Sequence, residues 1–475
     1  MADFHGTESQ GISMLLEYGD RRKTRPINLR PEPRSLRGTP VAALTNADGG
    51  LGHRVLPTGG ATARFGTNPW SFAAPGAVAG PNKEGHWVKI ANIKASLHRH
   101  EIDLPGIGQS IESRSFVFVE VETEDGQKGM GCTGSFLPWA VMPCIEHHLF
   151  PLLKGKDIRH TEAIHNLVWR QLNNRAYTGV ISNALSAIDI ACWDLRGKAE
   201  GVPISELLGG FTKEAYTYAT FGYPFFDEQQ IAEYAKKFLA DGHTMLKMVV
   251  GGEPTRTWKD DIRRVRAARE AIGPDVDLMI DANCWFNPHD ALMLAKGVED
   301  LNLRWFEEPI QQNDARALAD LRNRTSVPIA AGQMEGHRWR FRELVIHHAV
   351  DVLQPNVLYN GGYTEGLKVA HLAQAFNLPM SNGGGWPIFN MHLLAGVMNG
   401  GPVEFHYGMW MTGKHFFEGT PDPVNGKMRI PDRPGLGFTP RYDALEDSRI
   451  RNPETSHSKN RDAHGYLLRE DIYKS

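Results

Sequence analysis

The chain has 475 residues, 41% of them hydrophobic and 23% charged, with a formal net charge of −3. That length suits two or three domains around a large core, and the nearly balanced charge leaves no electrostatic footprint for nucleic acid or an anionic membrane. The four cysteines, Cys132, Cys144, Cys192 and Cys284, lack any CxxC spacing, which argues against a zinc site or a disulfide framework and suits a reducing compartment. No apolar run reaches the ~18 residues needed to span a bilayer. The amino-terminal text MADFHGTESQ lacks a basic-then-apolar leader pattern. The expectation is a cytoplasmic protein with no membrane or nucleic-acid partner.

Residues 1–86 are rich in Gly, Pro and Arg and show little periodicity, so they read as an irregular extension. From Trp87 the pattern sharpens. The run FVFVEVETEDGQKGMG (116–131) is a strand, an Asp125-Gly126 turn and the start of a second strand, a strong hairpin signal. Helical text follows, and in ALSAIDIACWDLRGKAEGVPISELLGG (184–210) residues Ile188, Cys192 and Leu195 share one buried helix stripe. Residues 87–211 thus form an α+β unit.

A regular alternation then begins. Strand-like runs occupy 216–221, 244–250, 277–282, 303–308, 327–332, 350–355, 378–382 and 403–407. Helical segments lie between them. One starts at Asp227, an N-cap with Gln230 three residues on. Another carries Trp258, Ile262, Val265, Ala268 and Ile272 on one face and stops at Gly273-Pro274. Eight strands alternating with helices over 212–410 predict an α/β fold with a parallel barrel. An open doubly wound sheet is the competing architecture, but no GxGxxG follows the first strand. Residues 411–475 form a tail.

Polar side chains recur at the carboxyl ends of these strands. Asp281 and Glu307 lie 26 residues apart, and Gln333 follows Glu307 by another 26. One βα unit takes about that many residues, so each repeat returns the chain to the same rim. Carboxylates gathered on one rim repel unless a cation lies between them. Hard oxygen donors without Cys or His suit Mg²⁺. Glu404, at the end of the last strand, faces the same space. The competing interpretation makes Asp281 and Glu307 ordinary rim residues satisfied by helix N-termini and lysines.

The runs AIDIACWDLRGKAEGVPISELLGG, MIDANCWF, WFEEP, GGYTEGLKVA and IPDRPGLGF, in that order, resemble the mandelate racemase / muconate lactonizing enzyme branch of the enolase superfamily across residues 87–440. The resemblance implies a (β/α)7β TIM-like barrel with an N-terminal α+β capping domain, to which the tail returns. It implies Mg²⁺ on three strand-end ligands and abstraction of the proton α to a carboxylate. By motif the ligands are Asp281, Glu307 and Gln333, with Asn283 and Glu308 as supporting neighbours and candidate substrate contacts. Because Gln333 is neutral where the family has an acid, Glu335, two residues on, is a further candidate metal ligand, and whether Gln333 or Glu335 completes the site stays open. A homo-oligomer is implied as well. A second, shorter resemblance covers 41–76, where VAALTNADGGLGHRV and RFGTNPWSFAAPG are similar to a fragment of the malate/lactate dehydrogenase family; at about forty residues it is too short to form its own core.

The chain departs from the barrel family's pattern at its bases. Where that family has KxK, this chain has Lys247-Met248-Val249, and the positions of a His–Asp dyad hold Asn356 and Ser381-Asn382. The candidate catalytic residues are therefore Lys247, Glu404, His337 and Tyr359. Asn356 and Asn382 are candidates for binding sugar hydroxyls. The leading expectation is a dehydratase of an aldonate or aldarate, a small-molecule carboxylate. A racemase, epimerase or cycloisomerase, and a metal- or acid-binding pseudoenzyme, stand as alternatives. A nicotinamide-dependent dehydrogenase is the least favoured.

Overall fold

The computed structural model describes residues 88–103, 111–134, 136–176 and 178–452. The extension, including the 41–76 patch, lies outside these residues. The first part of the described chain is an antiparallel sheet of β1 (Ile90–Asp103), β2 (Ile111–Thr123) and β3 (Lys128–Gly134). The predicted turn between β2 and β3 forms because Gly126 takes a φ of +83° and donates its N–H to Thr123 O at 2.9 Å. The two longest helices of this cap are α1 (Thr161–Leu172) and α2 (Val180–Glu200). The second lies against β3 so closely that a Cβ at Gly131 would stand 2.0 Å from Ala187 O, and one at Gly129 would stand 2.3 Å from Ala191 O. Arg449–Ile450 adds a short antiparallel strand to the free edge of β1, which returns the end of the described chain to the cap.

The barrel is built from β4 (Glu214–Phe221), β5 (Met245–Val249), β6 (Asp277–Asp281), β7 (Leu303–Glu307), β8 (Ile329–Ala331), β9 (Val352–Leu353) and β10 (Val403–His406). Neighbours pair in parallel in the order β10-β4-β5-β6-β7-β8-β9, and between β9 and β10 the wall is carried by bridges through Met380. The intervening helices are α3 (Glu228–Ala240), α4 (Trp258–Ile272), α5 (Pro288–Gly297), α6 (Ala315–Arg324), α7 (His337–Ile346), α8 (Gly362–Ala375) and α9 (Pro387–Gly396), and α10 (Tyr407–Phe416) follows β10. Local chemistry sets several boundaries. Asp227 and Gln230 form a reciprocal capping box at the start of α3. Helix α4 stops at Gly273, where φ is +77°.

Two strands fall furthest short of the sequence pattern, β9 and the run 378–382. β9 ends after Leu353 because Pro355, two residues on, has no N–H to continue a ladder. The run 378–382 keeps a single bridged residue, Met380, which touches Leu353 on one side and Gly400 on the other. Side chains replace ladder bonds there: Ser381 Oγ donates to Pro402 O at 2.6 Å, and Asn382 Oδ1 accepts from Glu404 N at 2.9 Å. Inside the ring, Tyr218, Met245, Met279, Trp305 and Ala330 pack as a separate apolar layer, with Tyr218 and Trp305 edge to face at 5.4 Å. This layer fills the barrel beneath the strand tips, as side-chain layers do in such barrels.

Candidate active site at the carboxyl ends of the barrel strands

Two residues further along the strands the lining changes from apolar to charged. Lys247 of β5 places its Nζ 2.9 Å from Asp281 Oδ2, 2.8 Å from Glu307 Oε1 and 2.9 Å from Glu404 Oε1. Its side chain is 0% exposed and sits 5.2 Å from the centroid of the Tyr218 ring below. The strands converge because side chains two residues apart on one strand point to the same side. Met245 and Lys247 thus stack, as do Met279 and Asp281, and Trp305 and Glu307.

Three carboxylates and one ammonium sum to a formal charge of −2 in a largely buried space. Burial pushes the Glu307 carboxyl well above its usual range, and the neighbouring Asp281 adds to the rise, while Lys247 opposes it. Burial works against the Lys247 charge, yet Asp281, Glu307 and Glu404 together hold the ammonium well above its ordinary value. The second oxygen of Glu307 accepts from Trp305 Nε1 at 3.1 Å and Gln354 Nε2 at 2.7 Å. Asp281 Oδ1 accepts from Asn283 N at 2.9 Å. Glu404 Oε2 accepts from Gly385 N at 2.6 Å, and its Oε1 from Thr220 Oγ1 at 2.5 Å.

Gln333 approaches the same point from β8. A Cβ placed on Gly383 would stand 2.6 Å from Glu307 Oε1 and 2.9 Å from Gln333 Oε1. The amide oxygen and the carboxylate thus flank one small space that a glycine keeps open. Nearby backbone is held in left-handed conformations at Asn283 (φ 46°), Cys284 (φ 58°) and Glu308 (φ 40°), each costing about 1–3 kcal/mol for a residue with a side chain. Above the tips lies a cavity of about 410 Å³, lined in part by Thr220, Val249, Asp281, Asn283, Gln333, Glu404, His406 and Tyr407.

The other residues singled out by the sequence sit elsewhere in the arrangement. Glu308 is fully buried. Its Oε1 accepts from Asn313 Nδ2 at 2.9 Å and Gln333 N at 3.0 Å. Burial raises its pKa to about 7. It ties two strand-end loops together, where contact with substrate was expected. Glu335, expected as a metal ligand, pairs with Arg340 at 2.8 Å. The two expected sugar-binding amides are spent on the protein itself. Asn356 donates to Gly383 O at 2.7 Å and accepts from Leu358 N and Asn390 Nδ2. Asn382 donates to Gly385 O at 3.1 Å while accepting from Glu404 N.

Tyr359 packs between the cap and the barrel loops. Its ring lies 5.4 Å from Phe136, and a Cβ at Gly134 would stand 2.6 Å from its hydroxyl. His337 belongs to a separate buried cluster, with Nε2 3.1 Å from Glu365 Oε2 and its ring 3.6 Å from Trp169. Burial lowers its pKa to about 4, although Glu365 pulls the other way. Glu365 in turn meets Arg338 at 2.5 Å and Lys368 at 2.9 Å.

Sequence reasoning missed Trp305, Gln354, Thr220 and His406. The first two open the WFEEP and QPN motifs, but only the folded register shows that both reach Glu307. Thr220 and His406 were signalled by alternation along their strands.

Comparison with known proteins gives this geometry a lineage. Residues 105–209 match the N-terminal domain of the mandelate racemase / muconate lactonizing enzyme family, and residues 230–444 match the domain described as enolase C-terminal domain-like. The chain is 31% identical over 343 residues to an arabinonate dehydratase of Saccharolobus solfataricus, covering 71% of this chain and 91% of that protein. It is 32% identical over 388 residues to a D-galactarolactone cycloisomerase of Agrobacterium fabrum, covering 77% and 100%. Among solved structures, a racemase from Streptomyces coelicolor with bound magnesium superposes with a TM-score of 0.69 at 28% identity, covering 76% of this chain and all of that one. With both domain patterns in order and relatives matched over nearly their whole length, the chain belongs to the mandelate racemase / muconate lactonizing enzyme family of the enolase superfamily.

Proposed function

We propose that the protein is a magnesium-dependent hydro-lyase that takes the α-proton from a sugar acid and eliminates the β-hydroxyl, giving a 2-keto-3-deoxy acid. The observation that carries this reading is the convergence of Asp281, Glu307 and Glu404 on one buried point with two negative charges in excess. A divalent cation matches that excess. Asp281, Glu307 and the amide oxygen of Gln333 offer the hard oxygen donors that magnesium prefers. Bound there, magnesium would supply positive charge to offset the charge that grows on the substrate carboxylate as its α-proton leaves.

The chain's own residues do the rest. Trp305 and Gln354 hold Glu307 in place from behind. Lys247 gives the carboxylate cluster a fixed ammonium beside the bound acid. Glu404, anchored by Thr220 and Gly385, presents an acceptor at the cavity wall. The apolar layer of Tyr218 and Trp305 keeps water from entering below. Two of the three relatives described above are named for work on sugar acids or their lactones, which supports this substrate class.

The test is incubation with Mg²⁺ and a panel of aldonates and aldarates, with detection of 2-keto acid. Product from at least one acid, abolished by chelation, is the expected result. Isomerised acid with solvent deuterium at the α-carbon and no loss of water would assign the chain to racemisation or cycloisomerisation, the chemistry in the names of the other relatives. No change to any acid would overturn the enzyme reading.

A further inference from the structure

The carboxylate–ammonium cluster leaves the proposed reaction without an obvious base. Lys247 has three carboxylate oxygens within 2.9 Å of its Nζ and donates a hydrogen bond to Glu307 Oε1, and these carboxylates hold it as an ammonium, which has no lone pair. Two residues on, where β5 next points into the barrel, Val249 offers only methyl groups. The amides of Asn283 and Gln333 are not bases, and Tyr223 and Tyr407 offer only phenol hydroxyls, which are poor proton acceptors.

His406 differs from all of these. It ends β10, two residues beyond Glu404, and lines the same cavity as Asp281, Gln333 and Glu404. Alternation along β10 fixes its direction. Phe405 points outward, with its ring 4.8 Å from His243 and 5.4 Å from Trp410. Glu404 points inward to Lys247, so His406 does also. Across the ladder it pairs with Thr220, whose hydroxyl reaches Glu404. The adjoining loop leaves it room: a Cβ on Gly385 would stand 3.1 Å from that of His406. Imidazole thus stands one layer above the carboxylates, facing the space that an acid held at the proposed magnesium site would enter.

We infer that His406 is the side chain that accepts the substrate's α-proton, an assignment that rests on the hydro-lyase reading above. A ring nitrogen takes the hydrogen as a proton, and the C–H bonding pair stays on carbon in conjugation with the carboxylate. The β C–O bond then breaks with its electron pair, and the proton held by His406 joins the departing hydroxyl to leave as water. Every atom is accounted for, with no added oxidant or reductant.

The experiment incubates the acid panel with Mg²⁺ and follows 2-keto acid formation by mass spectrometry, with wild type, His406→Gln and His406→Ala compared, and magnesium affinity measured by calorimetry. The expected result is a loss of at least about 100-fold in the rate of 2-keto acid formation in both variants, the lower end for a general base, with magnesium affinity retained. Added imidazole should restore turnover to His406→Ala in a dose-dependent way. Wild-type rates in either variant overturn the assignment. So does lost turnover accompanied by weakened magnesium binding and no imidazole rescue, which marks a structural role. If the wild type binds magnesium but forms 2-keto acid from none of the acids, the hydro-lyase reading itself fails, and this assignment with it.

Discussion

Glu307 shares its two oxygens between opposite tasks. One faces Lys247 and the cavity, and the other is held by Trp305 and Gln354. Removing the support behind a ligand changes its aim and basicity, so Gln354→Leu is expected to weaken magnesium binding by about 10–100-fold, read by calorimetry. Lys247 makes a complementary prediction. Its loss would leave three buried carboxylates without a counter-charge, a change that costs roughly 3–5 kcal/mol when one partner of a buried pair is deleted. The Lys247→Met variant should therefore unfold at lower temperature than wild type in chelator, and saturating Mg²⁺ should return most of the difference. Asp281, Glu307 and Glu404 were legible in the sequence because the 26-residue repeat and strand alternation place them on one rim. Gln354 was not, because its role depends on contact across two strands, and no pattern local to QPN records it. Asn356 and Asn382 misled for a related reason: amides beside a cavity serve equally well to tie down the loops that form it, and here those bonds claim them.

At the scale of elements, the cap depends on the close approach of β3 to α2. The alternate glycines of KGMGCTG let the strand touch helix backbone, with Ala187 O standing 2.0 Å from any Cβ added at Gly131. Since the obstacle is main chain, neither side can yield cheaply. Gly131→Ala is expected to cost about 1–3 kcal/mol or more through overpacking, seen as a lower denaturant midpoint. A surface glycine such as Gly155 is open on every side but sits at φ +76°, so alanine there should lose less, through backbone strain alone. The sequence signals the hairpin through Asp125-Gly126 but says nothing of this contact, which joins residues about 60 positions apart. The short β9 and the reduced seventh strand show the opposite limit. Their apolar text reads as strand, yet Pro355 and the side-chain bonds of Ser381 and Asn382 end the ladder early.

For the whole molecule, acid should act through buried neutral imidazoles. His392 on α9 donates from Nε2 to Leu436 O at 3.2 Å. Burial lowers its pKa from 6.5 to about 4. As pH falls, the unfolded chain takes up the proton first. The contribution is thus complete above pH 6.5 and decays between 6.5 and 4, by roughly 3 kcal/mol over the window. Urea titrations across that range should show the loss, and His392→Leu should flatten the slope. His98 shares the pattern, lowered to about 4 chiefly by burial.

The plug of Tyr218 and Trp305 has a kinetic corollary. A barrel stoppered at one end offers a single doorway, so whatever enters must later leave past the same threshold. Arriving substrate and departing product then contend for one corridor, and product should inhibit competitively against substrate.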